Sequence, residues 1–273
     1  MKSLLSLLRR LIWRLRLVTN LGCASEAELQ YRLLRLPAQS DPGRYFTFPW
    51  GRIEFVAASD LRGQYFEIFA QRHYAFRPAV THPVIIDAGG NIGISAIWFK
   101  REYPMANLTV YEADPALAKV VARNLAAANI SGVDVQNAAV WIQDGLVSFD
   151  NMGQDKGAVS PTGGIQVKAV DLAMHLPERV DLLKLDVEGA EYAIIRRLTE
   201  TGTIARVQNL VAEFHIKRGD IDYCLEALRQ LREAGMQVTF KAEMGSWLGA
   251  ADQESPFETV ANKQVLAEVY AWR

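Results

Sequence analysis

From residue 83 onward, short apolar runs alternate with helix-length stretches, and the first run breaks into glycines directly after an acid. That alternation restricts the fold more than any other feature of the chain. Residues 84–87 read as a strand, Asp87-Ala88-Gly89-Gly90-Asn91-Ile92-Gly93 as a turn, and 92–102 as a helix. The unit repeats with a strand at 108–112 and a helix at 115–128, opened by Asp114 at the cap and Pro115 in the first turn. A third strand at 133–140 leads into an excursion hairpin between Gln143-Asp144-Gly145 and the glycine-rich stretch 151–164. Strands at 181–186 and 207–214 and helices at 189–198 and 221–234 continue the alternation, the last stopped by Gly235. Segments 236–240 and 265–270 lack an intervening crossover helix, so they predict an antiparallel hairpin added at an edge. Alternating βα units predict an α/β, doubly wound parallel sheet whose ligand sits at the carboxyl ends of the strands.

Upstream, residues 45–57 predict two short strands around Pro49-Trp50-Gly51. Asp60 is placed to cap a helix running to about Phe76, with Phe66, Phe69, His73 and Phe76 at helical spacing. His73 there reads as a packed or solvated helix residue rather than a ligand. Residues 25–36 predict a further helix, followed by a loop at Pro37, Pro42 and Gly43. The first twenty residues hold Lys2, Arg9, Arg10, Arg14 and Arg16 and no acid, whereas the rest of the chain is net acidic. Leu4, Leu8, Leu11, Leu15 and Val18 form one helical stripe, which Leu5 and Ile12 widen, while Trp13 and Leu17 interrupt the polar face. The arginines break any signal-peptide core, and the segment is too short to span a bilayer. It therefore predicts either a peripheral helix on an anionic membrane or a helix packed on the domain or on a second copy. Residues 1–44 are accordingly a basic amphipathic helix and linker, and 45–273 an α/β domain. The expected location is cytoplasmic, with peripheral membrane contact as one option.

With a formal charge of −1 over 273 residues, nothing in the chain calls for a nucleic-acid partner. Two cysteines, Cys23 and Cys224, and four scattered histidines form no structural zinc pattern.

The Asp87–Gly93 turn allows close backbone approach to a ligand over a helix N-terminus. It is no phosphate loop, since no Lys-Ser/Thr follows Gly93, and it departs from the dinucleotide fingerprint at Ala88. An acid ending the strand suits a cationic or amino-bearing ligand better than a pyrophosphate. Glu112 ends the second strand 19 residues beyond Gly93, where a carboxylate can accept from both ribose hydroxyls of a nucleoside. In Leu183-Lys184-Leu185-Asp186-Val187-Glu188, period two puts Lys184 and Asp186 on one face as an ion pair, and Asp186 and Glu188 emerge at the ligand edge. Glu213 and His215 share a face at the end of the fifth strand, and the imidazole is the best general base on offer.

Together, Asp87-Ala-Gly-Gly-Asn-Ile-Gly93, Tyr111-Glu-Ala-Asp-Pro115, Leu183-Lys-Leu-Asp-Val-Glu-Gly-Ala-Glu191 and Glu213-Phe-His215 resemble the FkbM family of class I S-adenosylmethionine-dependent methyltransferases. The resemblance covers about residues 45–240, and Asn91 stands where the common methyltransferase motif has glycine. It implies a Rossmann-like seven-stranded sheet and methylation of a hydroxyl on a sugar, glycan or secondary metabolite. It further implies that Asp87, Gly89, Gly90, Asn91 and Gly93 hold the methionine end of S-adenosylmethionine. Glu112 would hold the ribose, Asn137 and Ala138 would border the adenine, and Asp186 would stand near the sulfonium. Asp186, Glu213 and His215 are then the catalytic group, with His215 as base. In the alternative, Asp186, Glu188 and Glu213 gather a divalent cation. Two rivals remain at this level: a nicotinamide-dependent oxidoreductase on a similar sheet, and a non-catalytic cofactor-binding interaction module.

Overall fold

The structure is a computed structural model that describes residues 29, 31–36, 44–151, 157–159, 164–216, 220–243 and 265–273. The basic helix expected over 1–20, the loop 37–43 and most of the glycine-rich stretch lie outside the described residues. Strands Arg44–Phe48 (β1) and Gly51–Phe55 (β2) form the expected antiparallel hairpin. Alternation turns Phe46, Phe48, Ile53 and Phe55 into the core. Buried Asn124 staples this hairpin to the domain: its Oδ1 accepts from Glu54 N–H at 2.8 Å, and its Nδ2 donates to Glu54 O at 2.9 Å and Ile92 O at 2.8 Å.

Helix Ala58–Tyr65 (α1) is shorter than the phenylalanine spacing predicts, and Asp60 is not its cap but lies in its first turn. The chain widens into a π turn over Phe66–Ala70 and leaves the helix near Arg72, whose φ is +58°. The widened turn stacks Phe69 on Tyr65 at 5.1 Å and on Trp50 at 5.5 Å between ring centroids, contacts that outweigh regular helix continuation.

The remaining elements are Val84–Ala88 (β3), Ile94–Glu102 (α2), Asn107–Glu112 (β4), Pro115–Ala127 (α3), Val133–Asn137 (β5), Ala139–Trp141 (β6), Gly145–Asn151 (β7), Gly157–Val159 (β8) and Ile165–Asp171 (β9). Leu172–His175 (α4), Leu182–Leu185 (β10), Glu191–Glu200 (α5), Asn209–Ile216 (β11), Ile221–Glu233 (α6), Gln237–Glu243 (β12) and Val265–Trp272 (β13) follow. Seven strands form one sheet in the order β12-β13-β11-β10-β3-β4-β5, parallel from β11 to β5 and antiparallel at β13 and β12. The central strands β3 and β10 are buried on both faces. Ile85 packs with the hairpin, α2 and α3, whereas Ile86 packs with α4, α5 and α6 on the other side.

Two details differ from the sequence reading. The strand expected over 133–140 breaks before Ala139, because β6 leaves β4 and pairs with β9. The excursion is a four-stranded sheet, β6-β9-β7-β8, rather than a lone hairpin. The terminal pair is the antiparallel hairpin expected at an edge of the sheet, with β13 between β11 and β12. Among the described residues, no helix is long and apolar enough to cross a membrane.

Candidate active site

Asp87, in the middle of the sheet, is fully buried. Its carboxylate accepts from Ser95 Oγ at 2.5 Å and pairs with Lys184 Nζ of the neighbouring strand at 3.0 Å. Lys184 also donates to Gly89 O at 2.7 Å and lies 3.6 Å from Asp186. The surrounding carboxylates overcome the cost of burying the ammonium and hold its pKa above the usual value. The sequence reading paired Lys184 with Asp186 of its own strand; Asp87 is the closer partner.

The glycine turn lies over this ion pair. Gly89 and Gly90 both donate their N–H to Tyr111 O at 2.9 Å. Gly89 has φ +93°, and a Cβ there would stand 1.7 Å from Asp186 O, so only glycine lets β3 and β10 close at this level. Asn91 is left-handed at φ +49°, and Gly93 at φ +86° starts α2. Glu112, also buried, ties this turn to the next: Oε2 accepts from Asn91 N–H at 2.7 Å and Oε1 from Asp114 N–H at 2.8 Å. Burial pushes the Glu112 carboxyl up to about 7, against the pull of those two hydrogen bonds. Asn137 donates to Glu112 O at 2.9 Å and Ala113 O at 3.1 Å, fixing the loop after β4.

A cleft open to solvent lies at these strand ends. Gly89, Asn91, Glu112, Ala138 and Asp186 of the predicted set line it, together with Glu188. Asp87, Gly90, Gly93 and Asn137 do not line it; they shape the turn and loop behind its wall. Leu117, Val140 and Phe149 add an apolar side that the sequence reading did not assign.

Beyond Asp186, the turn folds around the side chain of Glu191, which is wholly buried and accepts from Val187 N–H at 2.9 Å and Gly189 N–H at 3.0 Å. Glu191 Oε1 is also 3.3 Å from His215 Nδ1, so one carboxylate positions both the turn and the imidazole. His215 Nε2 faces Glu188 at 3.2 Å and Glu213 at 3.5 Å. Burial alone would lower the His215 pKa. The bond to Glu191 and the charges of Asp186, Glu191 and Glu188 outweigh it and raise the value to about 9. Burial, reinforced by Asp186, lifts Glu213 to about 8. Ligand atoms of Asp186, Glu213 and His215 lie within 4.8 Å of one another, so His215, rather than Glu188, completes the trio that can face a cation. The sequence motif contained Glu191 but assigned it no role. Its one legible signal was an acid in the first turn of a helix, able to cap the turn before it.

A family model described as Methyltransferase FkbM domain matches residues 87–238. Methyltransferase 1 of Beauveria bassiana (strain ARSEF 2860) is 30% identical over 183 residues, covering 56% of this chain and 73% of that protein. Methyltransferase sdnD of Sordaria araneosa is 29% identical over 230 residues, covering 69% and 87%. Among solved structures, Trm5b of Pyrococcus abyssi is similar with a TM-score of 0.48 at 11% identity, over 84% of this chain and 55% of that one. TYW2 of M. jannaschii, solved in complex with AdoMet, gives a TM-score of 0.44 at 10% identity, over 87% and 89%. With a glycine turn, a strand-end Glu112 and the Lys184–Glu191 run placed around one cavity, and with the family model spanning them all, this chain belongs to the FkbM family of S-adenosylmethionine-dependent methyltransferases.

Proposed function

We propose that the chain transfers a methyl group to a hydroxyl oxygen of a sugar, glycan or secondary metabolite. The observation that carries this reading is the meeting of Glu213 and His215 with Asp186, which itself lines the cavity. An alcohol is a weak nucleophile until its proton leaves, and these groups are set to take a proton.

The cavity's donor set fits the cofactor. Leu117, Ala138 and Phe149 offer an apolar wall for adenine, Glu112 an acceptor for ribose hydroxyls, and Asp186 and Glu188 negative charge for the ammonium and sulfonium end. Bound there, S-adenosylmethionine would supply an electrophilic methyl group on a sulfur able to leave with the bonding pair, for attack by the acceptor oxygen. Most of the rate gain is then positioning. Glu213 receives the hydroxyl proton and shares it with His215, which Glu191 holds in place from behind. Lys184 keeps Gly89 and Asp186 in register beneath the reacting group.

Calorimetry with S-adenosylhomocysteine tests the cofactor assignment. Glu112→Ala should weaken binding by about 1–3 kcal/mol, because the ribose loses its paired acceptor. Wild-type affinity should rise with pH through about 7 as the Glu112 carboxyl ionises, and Glu112→Gln should flatten that rise. NADH binding without S-adenosylhomocysteine binding would overturn the reading.

The Asp186–Glu213–His215 trio also supports a second route, in which a divalent cation held by those groups stabilises the alkoxide. Chelator should then stop turnover and magnesium restore it. On the proton-transfer route, chelator leaves the rate unchanged.

A further inference from the structure

Residues 71–76, between the π turn and β3, form a strap that reaches the carboxyl ends of β10 and β11 and is pinned at three points. The Arg72 guanidinium pairs with Glu102 at the end of α2, one of its two bonds measuring 3.2 Å. His73 pairs with Glu268 of β13, which stands opposite Glu213 in the β11–β13 ladder. Tyr103 Oη accepts from Phe76 N–H at 2.9 Å and donates to Phe76 O at 2.8 Å. Arg72 itself is left-handed at φ +58°, a conformation that a residue other than glycine keeps only where its surroundings fix it.

Between these pins sits Tyr74. Its ring stacks on Phe99 at 5.8 Å and 28°, with Lys184 Nζ 5.8 Å from its centroid. With Lys184, Asp186, Glu213 and Glu268 it encloses a gap that admits no more than about one water molecule. Tyr74 is therefore a wall at this point and not part of a seat. Burial, and after it the charges of Asp186 and Glu213, push its hydroxyl well above the ordinary value, as a phenol shut in beside carboxylates requires. Asp186 also lines the cofactor cleft, and among the described residues no other lines both spaces. One carboxylate thus has Tyr74 behind it and, in the reading above, the sulfonium in front.

We propose that Tyr74 is a positioning residue for methyl transfer: carried by the strap, its ring keeps water from the Lys184–Asp186 pair and so preserves the pull of Asp186 on the sulfonium. The inference rests on the cofactor placement proposed above. Attraction between Asp186 and a cation falls as water raises the local dielectric, whereas the neutral thioether of S-adenosylhomocysteine feels little of that change. The ratio of the two affinities therefore reports on the cover without any acceptor, and a general loosening of the fold would not move it selectively.

Calorimetry of the full chain with S-adenosylmethionine and S-adenosylhomocysteine gives that ratio. Labelling with acetic anhydride, followed by mass spectrometry, reads access to Lys184. Tyr74→Ala should lower affinity for S-adenosylmethionine relative to S-adenosylhomocysteine by roughly fivefold and leave S-adenosylhomocysteine affinity within about twofold. It should also label Lys184, which is 3% exposed in the wild type, at least about tenfold faster. Tyr74→Phe keeps the ring and should match the wild type in both readouts. Tyr103→Phe releases the strap at Phe76 without changing charge. It should move both readouts in the direction of Tyr74→Ala and add nothing to that change in the double variant. Either readout unmoved in Tyr74→Ala, or a Tyr74→Phe that behaves like it, would overturn the proposal, and additive effects in the double variant would overturn the strap. Asp186→Asn separates this inference from the placement beneath it. It should lower the same ratio, and an unmoved ratio there would overturn the position of Asp186 beside the sulfonium, while Lys184 labelling in Tyr74→Ala would still decide whether the ring is the cover.

Discussion

Replacing His215 with alanine is expected to lower kcat by about 10²–10⁴-fold while S-adenosylhomocysteine affinity is preserved. The imidazole does not line the cofactor cavity; it stands beneath Glu188 and Glu213, with Nδ1 against Glu191. On the proposed mechanism its contribution is to the fate of the proton and not to cofactor contact. The pH profile carries the sharper test. With His215 raised to about 9 and Glu213 to about 8, the proton-accepting form of the pair is scarce at neutral pH and grows as pH rises. Wild-type kcat should therefore climb with pH and level off above about 9, and in His215→Ala the limb that remains should be that of Glu213, moved upward because the imidazolium charge that lowers its pKa is gone. Full activity in the variant would remove His215 from the mechanism.

Lys184→Met should cost about 3–5 kcal/mol of stability, the usual penalty for breaking a buried ion pair from one side. Lys184 is 3% exposed and Asp87 fully buried, so the methionine would leave the Asp87 carboxylate without its counter-charge and Gly89 O without its donor. Urea unfolding measures the loss. The double variant Lys184→Met/Asp87→Asn should be less destabilised than the sum of the single variants, because the second change removes the orphaned charge. Additive losses would mean that the pair is not the source of the effect. A loss below about 1 kcal/mol would place Lys184 with surface ion pairs in energetic terms.

Much of this arrangement could be read from the order of residues, and the boundary of what could be read is physical. Glu112, Asp186, Glu213 and His215 stand where strands end, and period two with βα alternation is enough to bring such positions to one edge. Lateral register is not encoded so simply, which is why Lys184 was paired with Asp186 on its own strand although Asp87 across the ladder is nearer. The role of Glu191 depends on a turn folding back around its carboxylate, and the place of Glu268, 55 residues beyond Glu213, on a strand arriving beside β11 in register. Neither leaves a periodic trace. The alternation Ile165, Val167, Ala169 against Gln166 and Lys168 was legible as β9 and was missed beneath the glycine-rich stretch. The spacing of Phe66, Phe69, His73 and Phe76 suits a regular helix. Ring stacking with Trp50, an interaction across the hairpin, drew the backbone into a π turn instead.

The position of β13 has a consequence for the time course of folding. This strand is the last of the described strands along the chain yet pairs with β11 on one side and β12 on the other. About fifty residues separate the end of β11 from the start of β13. At a synthesis rate of about 5–20 residues per second, β11 waits roughly 2–10 seconds on the ribosome before its outer neighbour exists. During that interval the parallel strands present an open edge built around Val211 and Phe214, and β12 has nothing to pair with. An unprotected edge of this kind recruits other chains. Nascent protein is therefore most vulnerable to aggregation, and most dependent on chaperones, between the emergence of β11 and that of β13.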